Sequence, residues 1–285
     1  METQNGDWYA VFLTGRPLTK LGRCITGRET AIERVEWRDD NWLYLKCGGK
    51  SARREVEAPE LPEHTFQNMP IKLNFETKEI DINFQALRVP LTPDWVNQTE
   101  RPGFLRLYGR ESLSSCFEQS LIGRRVQEHH TSAETCIEFS PENFQQMAGL
   151  VCYYNTVHYH YLHVFGDDFG AYSGKKFLTI LTCDDHKTTQ PNHKPIEITG
   201  VEKLYLKADF NHAQLQFYFA IKEGSWQKIG PVLDGSILSD DYVEHAERHF
   251  HPCFTGAFYG LVCQDLSGQK IKADFEYFDY KEITT

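Results

Sequence analysis

The chain has 285 residues, 40% of them hydrophobic and 25% charged, which is enough apolar content for a real core in one large domain or two ordinary ones. A formal net charge of −10, with basic residues only in short clusters such as Arg53-Arg54 and Arg124-Arg125, argues against a nucleic-acid partner, because a duplex binder needs a basic face. No apolar stretch reaches the ~18–20 residues a membrane-crossing helix needs, so no membrane partner is expected.

In chain order, "WYAVFLT" (8–14) reads as a strand that arrives with no signal-peptide layout ahead of it. "AIERVEW" (31–37) and "NWLYLKCGG" (41–49) read as a hairpin around the polar turn "RDDN". Residues 48–70 are rich in Gly, Pro and charge without periodicity, which marks a linker. From about residue 71 the pattern is all β. "GFLRLYG" (103–109) sets Phe104, Arg106 and Tyr108 against Leu105 and Leu107. Further strands are expected over 117–126, 132–139, 148–155, 159–166, 175–184, 202–210, 214–222, 254–265 and 273–280. The best helix candidate is the short "SDDYVEHAERH" (239–249). Many short strands at close spacing imply a β-sandwich.

The eight cysteines form no Cys-x-x-Cys pair and mostly sit in apolar runs. They read as buried free thiols in a reducing compartment, and a cytoplasmic location is expected. His158 and His160 share a strand face and could bind a metal only if a carboxylate joined them; polar positions on a sheet are the plainer reading. "HAERH" has Ala246 where a zinc protease needs Glu. The acidic pairs Asp39-Asp40, Asp167-Asp168, Asp184-Asp185 and Asp240-Asp241 read as turn residues, with structural Ca²⁺ as the alternative. No other cofactor is expected.

Several stretches are more particular. "RPGFLRLYGRESLSS", "FEQSLIGRR", "FSPENFQQMAGLVCYYN" and "FTGAFYGLVCQDLSG" followed by "ADFEYFDY" resemble the C-terminal β-sandwich of glycoside hydrolase family 43 β-xylosidases. "WYAVFLTGRPL" and "GRCITGRETAIERVEW" resemble the closing strands of that family's catalytic propeller. The resemblance implies an all-β chain in which residues 1–60 are the end of a five-bladed β-propeller plus linker. Residues 61–285 would be a concanavalin A-like, jelly-roll type sandwich. It also implies a C-terminal portion of a longer enzyme, as a fragmented gene or an internal start would give.

Family 43 enzymes are inverting glycosidases, which need two carboxyl groups ~6.5–9.5 Å apart. The resemblance places both in the propeller, so no catalytic residue is expected in this chain and no hydrolysis by the chain alone. Three substrate-binding candidates remain. Arg28, in "GRET", matches an active-site arginine that can donate forked hydrogen bonds to a carboxylate or a sugar; a surface or salt-bridged arginine is the plain alternative. Phe254, with Phe250 next, matches a sandwich phenylalanine that narrows the substrate cleft; a core aromatic at a strand start is the alternative. Expected partners are the xylo-oligosaccharide or arabinoside substrate of the parent enzyme and further copies of the chain, since the family's sandwich supports oligomers. A stand-alone carbohydrate-binding module is the second functional reading, with Trp95, Trp226, Tyr153-Tyr154 and Tyr159-Tyr161 as stacking candidates.

Overall fold

The structure is a computed structural model that describes residues 1–66, 71–245 and 254–283. Internal packing divides the chain into two units. The first comprises residues 1–16 and 28–69; the second comprises residues 17–27 and 70–285.

The first unit is built on an antiparallel sheet of β1 (Trp8–Thr14), β2 (Glu29–Trp37) and β3 (Leu43–Leu45), in that order. The expected hairpin is present, with Glu36 opposite Tyr44. Its turn closes because Asn41 adopts a left-handed φ of 61°, which Asn tolerates better than most residues. Tyr9 and Val35 are buried, but Val11, Leu13 and Ile32 form an exposed apolar row, with Val11 paired across to Ile32. The linker is tied to this sheet at one point. The buried Glu33 carboxylate accepts from Arg53 Nη2 at 2.9 Å and from the Arg53 backbone N–H at 2.9 Å. These bonds from Arg53 hold Glu33 down to about 2 from an ordinary 4.5.

The second unit stacks two antiparallel sheets. Its strands are β4 (Lys72–Leu73), β5 (Phe84–Ala86), β6 (Val96–Asn97), β7 (Leu105–Tyr108), β8 (Ser120–Arg125), β9 (His130–Phe139), β10 (Gln146–Asn155) and β11 (His158–Asp167). They continue with β12 (Lys175–Asp184), β13 (Lys187–Thr189), β14 (Ile196–Glu197), β15 (Lys203–Asn211), β16 (Gln214–Ala220), β17 (Gln227–Asp234), β18 (Phe258–Asp265) and β19 (Lys272–Glu282). One sheet has the order β13-β12-β11-β10-β18-β8-β5, with β14 on β12. The other has the order β17-β16-β15-β9-β19-β7-β6, with β4 on β19.

Alternation explains the core. Leu204, Leu206, Ala208 and Phe210 of β15 and Leu215 and Phe217 of β16 point inward, against Leu150 and Cys152 of β10 and Leu162 and Val164 of β11. Each such large side chain contributes roughly 1.5–3 kcal/mol on burial. Leu105 and Leu107 are fully buried while Arg106 and Tyr108 are not, as the alternation in "GFLRLYG" requires. On the outside of the first-named sheet, Tyr153, Tyr159 and Tyr161 form a second cluster, covered by Leu113 and Leu87.

Several expectations need correction. The strand expected from 254 begins at Phe258, because Phe254 (φ 55°) and Gly256 (φ 76°) are left-handed and cannot extend a strand. β17 has no counterpart in the sequence reading, since Gly230 and Pro231 interrupt its alternation. The helix is α1 (Asp240–His245), and residues 246–249 of the expected span lie outside the described residues. Cys47 and Cys116 are exposed rather than buried, because both sit in turns and not in strands; the other five described cysteines are buried, and all seven are unpaired.

Candidate functional site

Among the described residues, the segment 17–27 meets residues 239–245 and 254–257 within the second unit, and acidic side chains at the head of α1 hold them together. Ser239 caps the helix: its Oγ accepts the Tyr242 N–H at 3.3 Å and donates to Ser236 O at 2.7 Å. Asp240 is buried. Its Oδ1 accepts from the Tyr154 hydroxyl in a short hydrogen bond and from the Phe254 backbone N–H at 2.9 Å. Asp241 turns the other way, and its Oδ2 accepts the Cys24 N–H at 2.9 Å. Tyr242 lies under the Arg23 guanidinium, 4.4 Å from the ring centroid, and donates to Asp184 Oδ2 at 2.9 Å.

Beyond the helix, the Ala257 N–H donates to Ile25 O at 2.7 Å, and the Val126 N–H donates to Ala257 O at 2.9 Å. Gly27 and Gly256 cross so closely that a Cβ on Gly27 would lie 2.4 Å from Gly256 N. Phe254 therefore stands between two fixed points, its own N–H on Asp240 and the Gly256 crossing. The residue is 59% exposed.

Phe254 is thus not a core aromatic; a left-handed backbone anchored from behind presents it to solvent. Arg28 is half-buried and belongs to the first unit, next to Glu29, whose carboxylate takes a forked pair of bonds from Arg16 at 2.8 and 2.9 Å. Phe250 lies outside the described residues. The sequence reading missed the anchoring role of Asp240 and Asp241, which it took for turn residues. The signal was present: Ser239 followed by two acids is a helix start.

The stacking candidates Trp95, Tyr153, Tyr154, Tyr159 and Tyr161 are all buried, at 5% exposure or less, so none offers a ring to a sugar; Trp226 is half-buried. Two of the acidic pairs are engaged locally, Asp40 accepting from the Tyr44 hydroxyl and Asp167 from the Phe169 N–H, whereas Asp184, Asp240 and Asp241 accept from groups distant in sequence. Among the described residues, no three His, Cys, Asp or Glu side chains converge as a metal site.

Asp240→Ala should release this loop. It leaves the buried Tyr154 hydroxyl and the Phe254 N–H without their shared acceptor, at ~1–3 kcal/mol each. Denaturant unfolding should show a loss of ~3 kcal/mol, and Tyr154→Phe, which removes one bond and keeps the acceptor, about 1 kcal/mol.

Two antiparallel sheets stacked over one apolar core define the class as a β-sandwich of the concanavalin A-like kind. The chain belongs to the family of β-xylosidase C-terminal concanavalin A-like domains, whose model matches residues 72–281. It is 40% identical to a β-xylosidase of Bacillus subtilis over 292 residues, covering 99% of this chain and 53% of that protein. It is 38% identical to xylosidase/arabinosidase 43B of Humicola insolens, covering 99% of this chain and 52% of that protein. The crystal structure of a xylan β-1,4-xylosidase from Bacillus halodurans superposes with a TM-score of 0.91 at 43% identity, over 99% of this chain and 52% of that one. The chain therefore spans about half the length of the curated relatives it matches, and corresponds to their C-terminal half.

Proposed function

We propose that this chain is the C-terminal half of a glycosidase of the β-xylosidase/α-L-arabinofuranosidase type, acting on xylan-derived oligosaccharides. Its sandwich closes one side of the substrate pocket with Phe254. The general acid and base reside in the half of the relatives that this chain does not cover, and Arg28 reaches a carboxylate or sugar hydroxyl there with its forked donors. The observation that carries the reading is the presentation of Phe254. A large aromatic residue is held 59% exposed by a hydrogen bond to a buried carboxyl, at a backbone angle non-glycine residues rarely adopt. A pocket wall that must keep its shape while empty needs such an anchor.

The same proposal includes self-association and a reducing, cytoplasmic setting. The exposed row of Val11, Leu13 and Ile32 supports the first, and seven unpaired cysteines support the second. The test is complementation with the separately produced N-terminal half of the Bacillus subtilis β-xylosidase. The mixture is expected to hydrolyse a chromogenic β-xyloside, and Phe254→Ala in this chain should lower kcat/KM by about tenfold, the scale of one lost aromatic contact. Equal kcat/KM with and without the Phe254 ring would contradict the pocket-closing role.

A further inference from the structure

The outer face of the β9-β15-β16-β17 sheet carries a depression of about 220 Å³. Its floor is a break in the ladder. β16 and β17 pair at Leu215–Leu233 and again at Phe217–Ile229, so two residue steps on β16 oppose four on β17. The extra residues, Gly230 and Pro231 among them, bow away opposite Gln216. Bulges of this kind open a sheet face and re-aim side chains. Gln216 fills the break from within: its buried Nε2 donates to Ile229 O at 3.1 Å and to Phe217 O at 3.0 Å. With the nitrogen fixed inward, Oε1 is left with no protein donor.

The cross-strand rungs then line up polar groups around that floor. Asp209 of β15 is opposite Gln216, Asn211 is flanked by His130 and Gln214, and Tyr218 is opposite Lys228. Asp209 Oδ1 has no hydrogen-bond donor, although Lys207 Nζ stands 3.3 Å from it. Burial pushes the Asp209 carboxyl up, and Lys207 pulls it back. His130 Nδ1 is buried without a partner. One carboxyl, the ammonium of Lys228, an imidazole and amides line the depression beside the Tyr218 ring, and the Lys207 ammonium stands 3.3 Å from Asp209 and 5.4 Å from that ring, so donors and acceptors are densely mixed.

We infer that this depression is a binding site for a neutral saccharide, which seats one sugar ring on Tyr218 and offers its hydroxyls to Asp209, Gln214 and Gln216. The volume suits one ring of a chain rather than a buried ligand. A lining that mixes carboxyl, ammonium, imidazole and amide groups suits vicinal hydroxyls, which donate and accept at once, better than a phosphate or a cation. The site would hold an oligosaccharide near the enzyme without taking part in its cleavage.

The experiment is a xylotriose titration of the whole chain, following the side-chain NH₂ resonances of Gln214 and Gln216 by NMR. Saturable shifts are expected. They should be unchanged in Phe254→Ala, which separates this site from the proposed pocket wall, and insensitive to added salt. Tyr218→Ala should weaken binding by about tenfold. Asp209→Asn combined with Tyr218→Ala should abolish it, while the amide signals of the inward-facing Leu206 and Phe217 stay in place. Should the double variant unfold, Tyr218→Ala and Lys228→Ala singly carry the comparison. Absence of saturable shifts, an affinity that Tyr218→Ala leaves unchanged, or equal shifts with glycerol would overturn the inference.

Discussion

Between pH 6.5 and pH 4 the sandwich is expected to lose several kcal/mol of stability, because two histidines are folded into it uncharged. His160 is buried on the inner face of β11. Its Nε2–H donates to Asp234 O at 3.2 Å, which leaves Nδ1 to accept from the Thr182 hydroxyl at 2.9 Å. His163 is buried on the opposite face, its ring stacked 4.6 Å from Tyr161, with Nδ1–H donating to Tyr161 O at 3.3 Å.

Burial lowers both from 6.5 to about 4. Above 6.5 neither the folded nor the unfolded chain is protonated there, and stability is full. As pH falls below 6.5 the unfolded chain takes up protons that the folded chain refuses, and the loss is complete near pH 4. Each group contributes ~3 kcal/mol to that loss. Carboxylates held down by arginines act in a more acid window; Glu33 titrates between 4.5 and about 2. Urea unfolding at several pH values should show the decline, and His160→Gln with His163→Gln should flatten its slope by ~1.4 kcal/mol per pH unit for each group removed. A stability that is level across this range, or a slope the two substitutions leave unchanged, would show that neither histidine is held neutral.

Gly256→Ala should be among the most damaging single-methyl changes in the molecule. The residue is left-handed (φ 76°), and a Cβ there would lie 2.6 Å from Gly27 N and 2.6 Å from the Thr26 carbonyl carbon. Both obstacles are backbone, so no side chain can rotate away. The left-handed alanine costs ~1 kcal/mol and the forced separation ~1–3 kcal/mol more. Separating the two strands of chain also threatens the Ala257 N–H bond to Ile25 O. Denaturation should show a loss of ~2–4 kcal/mol, and hydrogen exchange at Ala257 should accelerate. Gly200→Ala is the control: its φ is also positive, at 82°, with nothing within 4 Å of the added carbon, so only the conformational cost of ~1 kcal/mol applies. Equal losses in the two variants would mean that the crossing tolerates a methyl group.

The parts of this fold legible in the sequence are those in which one strand carries the whole signal. "KKFLTILTCD" gives the strand Lys175–Asp184 residue for residue, because both of its ends are marked by turn chemistry. The family resemblance pointed to Phe254 as a site residue, and the left-handed backbone and the Asp240 anchor expose a side chain that sequence alone also allowed in the core. Tyr153, Tyr159 and Tyr161 fail as sugar platforms because the face they occupy is covered by Leu87 and Leu113, and Tyr154 points into the main core; no local pattern foretells that cover. The polar depression was illegible for a related reason. His130, Asp209, Gln216 and Lys228 come from four strands, and only the register of the sheet and the bulge opposite Gln216 bring them to one place.

In the proposed function, this chain supplies a pocket wall and an arginine to a glycosidase but not the acid and base. The most direct test is hydrolysis of chromogenic β-xyloside and α-L-arabinofuranoside by the purified chain alone. No turnover above that of the buffer is expected. Turnover that copurifies with the chain and vanishes in Arg28→Ala would contradict the proposed function, by showing that these residues complete a catalytic site among themselves.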